Sequence, residues 1–242
     1  MNIEVIRGVL LPFAGTALGA AGVFFMRKEI SSRLHRALSG AAAGIMAAAS
    51  FFSLLLPSLE QGGLFPASVG FLLGLLFLPA LDGLPVQTAR TLTRQEKMML
   101  AVTIHNLPEG MAVGVAYAGW LYGSGISFTG AFALALGIAL QNFPEGAIVA
   151  MPLRAEGKSR SQAFLWGVLS GAVEPVGAAL ILLAAGIFLP VLPYLLSFAA
   201  GAMFCVILEE LTPDIIGGSP RCLGMFSFGL GFLLMMAMDV AL

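Results

Sequence analysis

The sequence predicts an all-α integral membrane protein with eight transmembrane helices, and three observations carry that prediction. Of the 242 residues, 59% are hydrophobic and 10% charged, with a mean hydropathy of +0.96, whereas soluble domains carry about 25% charged residues. A helix that spans a bilayer takes roughly 20 apolar residues, and eight such runs fall near 5–26, 37–57, 65–81, 97–117, 129–150, 162–186, 191–211 and 221–241. The basic residues, finally, gather in alternate loops, the asymmetry that sets membrane orientation.

The first run is read as a span, because a secretory signal carries positive charge ahead of a short apolar core and here Arg27 and Lys28 follow a long one. Arg27, Lys28, Arg33, Arg36, Arg90, Arg94, Lys97, Arg154, Lys158, Arg160 and Arg221 lie after spans one, three, five and seven or at their edges, with only Arg7 on the other side. Lys and Arg in short loops stay cytoplasmic, so both termini are expected outside, in keeping with a bacterial inner membrane. Tyr117, Trp120, Tyr122 and Tyr194 are expected near the outer interface and Trp166 near the inner one, where amphipathic rings gather. Loops are short and no stretch reads as a linker or separate soluble domain, which leaves residues 1–242 as one membrane domain. Runs such as "SGAAAGIMAAAS" and "LSFAAGAMF" offer small faces for close helix packing. Cys205 and Cys222 form no CxxC pair and read as small buried hydrophobes. A net charge of −1 provides no basic footprint for nucleic acid.

Spans four to six break the apolar pattern. "VTIHNLPEGMAVG" puts His105, Asn106, Pro108 and Glu109 inside the membrane, and "GIALQNFPEGAIVA" repeats the arrangement with Gln141, Asn142, Pro144 and Glu145. Glu174 follows in span six, beside Pro175. His105 and Glu109 are four apart and share a helical face, as do Gln141 and Glu145. Each proline removes a backbone donor and frees the carbonyl four residues back, bending the helix, and irregular backbone at this depth survives only beside protein or a water-filled cavity. A carboxylate at a helix centre costs about 2.5–3.5 kcal/mol on insertion scales. No Lys or Arg lies at that depth to offset the cost, so the acids point to an imported cation. Met46, Glu109, Glu145 and Glu174 fall near the middle of their own spans and could meet at one level. One imidazole among carboxylate and amide oxygens, with a thioether nearby, suits a borderline divalent transition metal. A structural zinc site would be a closed tetrahedron rich in Cys and His.

HNLPEG and QNFPEG on consecutive spans, with a glutamate in the next, closely resemble the signature of the ZIP (Zrt- and Irt-like) divalent-metal transporters, and "AAGIMAAASFFSLLLPSLE" in span two is similar to their bacterial GufA-like branch. The resemblance implies an eight-helix bundle in a 3+2+3 arrangement whose first and last three helices are inverted repeats. It further implies movement of zinc, with cadmium, iron or manganese as relatives of that cargo, into the cytoplasm by rocking or sliding of one helix group against the other, commonly in a homodimer. Carried over by position, a binuclear site takes Met46, His105, Glu109, Gln141 and Glu145 around one ion. The second ion takes Asn106, Glu109, Asn142, Glu145 and Glu174, with Glu109 and Glu145 bridging. Family members often have Asp or His where this chain has Gln141 or Asn142, so its site is lower in charge. The His-rich loop that often follows span three is replaced by "LPVQTARTLTRQEK".

Asp239 is expected near the outside, where it could gather cations, and Asp82, Glu209 and Glu210 near the inside, where they could receive them; a solvated helix end accounts for each at least as well. Ser50 and Ser53, outward of Met46, could offer entrance oxygens, although a serine bonded to its own helix backbone is the simpler expectation. His35, between Arg33 and Arg36, reads as solvated. Two rival functions use the same residues. An intramembrane zinc metallohydrolase would need two or three histidines or an HExxH pair, and only one histidine lies at depth. A passive cation channel would differ in flux kinetics. The expected protein is therefore a carrier and not an enzyme.

Overall fold

The computed structural model describes residues 2–25, 31–82, 94–155, 157–184, 191–217 and 221–241, without the side chains of some helical residues, including Asp82, His105 and Glu210. Every regular element among the described residues is helical: α1 (Ile3–Ala20), α2 (Gly22–Phe25), α3 (Ser32–Ala48), α4 (Leu56–Gly62), α5 (Leu64–Asp82), α6 (Arg94–Leu121), α7 (Phe128–Ala155), α8 (Arg160–Gly171), α9 (Val173–Leu183), α10 (Leu192–Val206), α11 (Thr212–Ile216) and α12 (Arg221–Ala241). Among the described residues, six stretches are long and apolar enough to cross a bilayer: Ile3–Phe25, Ser32–Gly62, Phe128–Met151, Arg160–Leu183, Leu192–Ile216 and Cys222–Ala241. The remaining two runs of the sequence form α5, apolar over Leu64–Phe77, and the 28-residue α6.

Local chemistry sets the ends and breaks. Ser31 caps α3 by accepting from the Leu34 amide, and Ser159 and Gln162 form a reciprocal capping box on α8, each satisfying amides that have no helical partner. The tight turn between α7 and α8 passes through Gly157 at φ +98°, a conformation open to glycine. Between α3 and α4 the helix widens into a π turn over Ala49–Leu55, and between α10 and α11 it does so again over Ile207–Leu211. Both π turns run into a proline, Pro57 or Pro213, whose ring would clash with the carbonyl four residues back; widening the turn relieves that crowding. In the second, the Thr212 hydroxyl donates to the Ile207 carbonyl at 2.7 Å. Of the three mid-span prolines, Pro108 and Pro144 sit in uninterrupted helices, while Pro175 occupies the first turn of α9, just after a break at Ala172.

Four helix pairs hold the bundle together: α1 with α7, α3 with α12, α5 with α10 and α6 with α9. The first member of each pair carries a GxxxG step, respectively Gly15/Gly19, Gly40/Gly44, Gly70/Gly74 and Gly110/Gly114, and each of these glycines abuts the partner helix. The partner returns a glycine of its own, Gly146, Gly231, Gly201 or Gly177. Backbones therefore meet directly. A Cβ at Gly19, for example, would lie 2.8 Å from the Phe143 carbonyl carbon.

The pairs assemble into two groups. One contains α1, α2, α6, α7, α8 and α9; the other contains α3, α4, α5, α10, α11, α12 and both π turns. Between the groups, contact runs mainly along α6–α10 and α3–α7, through larger buried side chains such as Met46, Ile138, Leu196, Met203 and Met235. Outward faces are apolar, as Leu72, Leu73 and Leu76 on α5 and Leu230, Leu233 and Leu234 on α12 illustrate. Tyr117 packs inside the protein and does not present its ring outward. It is fully buried, its ring against Gly8 of α1 and edge-on to Trp120.

Gly19→Leu should lower stability by about 1–3 kcal/mol through overpacking against a carbonyl that cannot move aside. Gly229→Ala, where a Cβ meets no atom within 4 Å, should be neutral or slightly stabilising, since alanine suits a helix better. Thermal unfolding of both purified variants in detergent checks the contrast.

Candidate metal site

The polar residues of spans four to six are drawn inward. Asn106, Glu109, Gln141 and Asn142 are fully buried, Glu174 is 1% exposed and Glu145 7%. Helices α6, α7, α9 and α1 supply this layer, and their glycine contacts set its spacing. Gly110, next to Glu109, lies against the Glu174 backbone, and Gly146, next to Glu145, lies against the backbone of Thr16 and Ala20. A side chain at either glycine would push a carboxylate-bearing helix away from its neighbour.

Hydrogen bonds cross between helices in this layer. Gln141 Nε2 donates to Glu109 Oε1 at 2.6 Å, joining α7 to α6. Asn106 Nδ2 donates to the Ser170 carbonyl at 3.1 Å, joining α6 to α8. Thr16 Oγ1 donates to Glu174 Oε1 at 2.8 Å, joining α1 to α9. Among the described residues, Asn106 Oδ1, Gln141 Oε1 and both polar atoms of Asn142 have no hydrogen-bond partner. Buried polar atoms left unpaired cost about 1–3 kcal/mol each. Three of these four are oxygens, acceptors that a cation would satisfy.

Among the described residues, no three His, Cys, Asp or Glu side chains are grouped closely enough to hold a metal ion. His105 lies in α6 one turn before Glu109, and its side chain is outside the described residues. Met46 comes from the other helix group, fully buried in α3, and shares a core cluster with Ala112, Val113 and Ile138, which flank the polar residues on α6 and α7.

At the ends of the path, Ser53 donates to Asp239 Oδ1 at 2.7 Å, and Ser50 is fully buried with no hydrogen-bond partner for its hydroxyl among the described residues. Neither serine bonds its own helix backbone as expected, because both sit in the π turn, where the carbonyls are re-registered. Glu209 lies exposed in the second π turn, while the side chains of Asp82 and Glu210 are outside the described residues. His35 also departs from expectation, because it packs against Asp214 of α11 with Nε2 2.8 Å from Oδ2. Cys205 is buried but Cys222, in the first turn of α12, is exposed.

Sequence reasoning missed Thr16 and Ser170, both fully or almost fully buried. A signal existed for the first only. Thr16 is the only hydroxyl in the first apolar run, between Gly15 and Gly19, whereas Ser170 takes part through its backbone carbonyl, beside the break at Ala172.

Taken together, the fold and this layer define a multi-pass helical membrane protein with acids and amides buried at its centre. Comparison with known proteins places it further. Residues 83–239 match the family described as ZIP Zinc transporter. Zinc transporter GufA of Myxococcus xanthus is 36% identical, covering 96% of this chain and 96% of its own length, and Zinc transporter ZIPB of Bordetella bronchiseptica is 37% identical over 95% of this chain and 78% of its own. Zinc transporter ZIP11 of Xenopus tropicalis is 33% identical across 99% of this chain and 97% of its own. The chain belongs to the ZIP zinc transporter family.

Thr16→Val keeps the shape of Thr16 and removes its donor to Glu174. Loss of a hydrogen bond to a buried carboxylate should cost about 1.5–3 kcal/mol, read as a lower melting temperature that Thr16→Ser restores.

Proposed function

We propose that the chain is a carrier that moves zinc, and related divalent ions such as cadmium, iron and manganese, across the membrane into the cytoplasm. The observation that carries this reading is the buried layer on α6 and α7, in which carboxylates and donor-starved amide oxygens face the protein interior. Zinc is also what the named relatives transport. The ligands we assign are Met46, His105, Asn106, Glu109, Gln141, Asn142, Glu145 and Glu174, around two ions bridged by Glu109 and Glu145.

On binding, this chain's residues would have specific tasks. Gln141 would release Glu109 by rotating its amide, exchanging a donor for an oxygen aimed at the cargo. Glu109 and Glu145 would supply the negative charge, and Thr16 would hold Glu174 in orientation through its hydroxyl. The oxygen-rich ligand set binds a borderline cation less tightly than thiolates would, which allows release.

Eight crossings follow if α5 and α6 span alongside the six longer apolar stretches, forming one membrane domain over residues 1–242. Basic residues after odd-numbered spans favour termini outside. Inverted repeats gain support from the pairing pattern: matching the first three spans to the last three, and span four to span five, turns the α1–α7 pair into α6–α9 and the α3–α12 pair into α5–α10. The two π turns are exchanged by the same operation. Backbone-tight pairs within each helix group, with side-chain packing between groups, suit a sliding of one group against the other. A homodimer is the assembly the family resemblance favours.

Purified protein in liposomes provides the test. Saturable zinc uptake supports a carrier, non-saturating flux a channel, and hydrolysis without flux an enzyme. Glu109→Ala and Glu145→Ala should each abolish uptake while the protein still inserts, and normal uptake by both rejects the site. Because carboxylates must be deprotonated to hold a metal, uptake should also fall as external pH is lowered; a flat acidic profile would contradict carboxylate ligation.

A further inference from the structure

A second polar cluster lies where α3 begins, far along the helix from Met46. Arg36 is 7% exposed, and its Nε and Nη1 have no hydrogen-bond partner among the described residues. Its stem rests on the first turn of α12, since a Cβ at Gly224 would lie 3.0 Å from Arg36 Cγ. The nearby acid is Asp214, which is engaged by His35 at 2.8 Å and Ser39 at 3.3 Å. Arg33, three residues earlier and so on the same side of the helix, is exposed. Among the described side chains, one carboxylate thus lies beside Arg36 and His35, with Arg33 on the same side of the helix, leaving surplus positive charge.

Beside this cluster opens a groove of about 550 Å³, lined by Arg33 together with Cys222, Leu223 and Phe226 of α12. These three residues flank Gly224, the seat of the Arg36 stem. The 21-residue α12 starts here, so its dipole adds positive potential at the same end. Further along the helix the surface turns apolar, with Met225, Phe226 and Leu230 exposed at 63%, 65% and 54%. The groove is cationic at its mouth and greasy below, which is the shape of an amphiphile with an anionic head.

We infer that this groove seats an anionic phospholipid, its phosphate held at the mouth by Arg33 and the start of α12, with the buried charge of Arg36 behind them, and an acyl chain lying along Met225, Phe226 and Leu230. A buried arginine at the membrane edge is costly without a counter-ion, and basic pockets between membrane helices accept such headgroups. That this is the cytoplasmic leaflet rests on the orientation proposed above; the seat itself does not.

The test uses the full-length protein purified in detergent, without zinc, so it is independent of transport. Added phosphatidylglycerol should raise the melting temperature by roughly 5 °C, whereas phosphatidylcholine should not. Arg33 is exposed, so Arg33→Gln should fold normally and need roughly five- to tenfold more phosphatidylglycerol for the same shift; Leu223→Asp, which makes the groove mouth acidic, should weaken the response likewise. Equal shifts from both lipids, or an undiminished response in both variants, would overturn the inference. A matching shift from inorganic phosphate alone would overturn the lipid assignment by showing that the cluster takes a free anion.

Discussion

The close approach of helix backbones at glycine is the constraint on which the rest of the molecule depends. In a bilayer, apolar side chains gain little by exchanging lipid for protein, so helix association relies on packing and backbone proximity. Each GxxxG step here is answered by a glycine in the partner, and the contact is made against carbonyls and Cα atoms that have no alternative position. Two of these contacts adjoin buried acids directly, because Gly110 and Gly146 follow Glu109 and Glu145. The PEG triplet in each motif thus couples a freed carbonyl, a buried acid and a point of tight packing in three successive positions.

That coupling lets the polar layer exist at all. Burying three carboxylates and three amides among apolar helices is expensive, and the inter-helix hydrogen bonds satisfy the layer only in part. Gln141, Asn106 and Thr16 spend donors on partners across helix boundaries, while amide oxygens are left over. The surplus is of acceptors, and it matches what a divalent ion requires. A layer fully satisfied by its own hydrogen bonds would be more stable and would have no use for cargo.

Much of this was legible in the sequence because the relevant physics is local. Apolar run length gave the helices, and paired HNLPEG and QNFPEG segments marked the buried acids, since polar residues four apart share a face whatever surrounds them. The partnerships were not legible. Gly15, Gly40, Gly70 and Gly110 stand out as small, but which helix each one meets depends on topology, and the aromatic Tyr117, expected at an interface, is core because Gly8 makes room for it. The π turns were hidden for a similar reason: Pro57 and Pro213 announce strain, yet whether a helix bends, breaks as it does at Ala172, or widens is settled by neighbours. Thr16 was overlooked because a lone hydroxyl in an apolar helix usually bonds its own backbone.

The division into two helix groups places the proposed ligands unequally. Asn106, Glu109, Gln141, Asn142, Glu145 and Glu174 all ride on α6, α7 and α9, whereas Met46 belongs to α3 in the opposite group. In the sliding we propose, oxygen ligands travel with the ion while sulfur stays behind. The thioether would then act as a toll gate fixed to the frame, engaging softer cargo at one end of the stroke and absent at the other, so loading and unloading would differ in chemistry as well as in access.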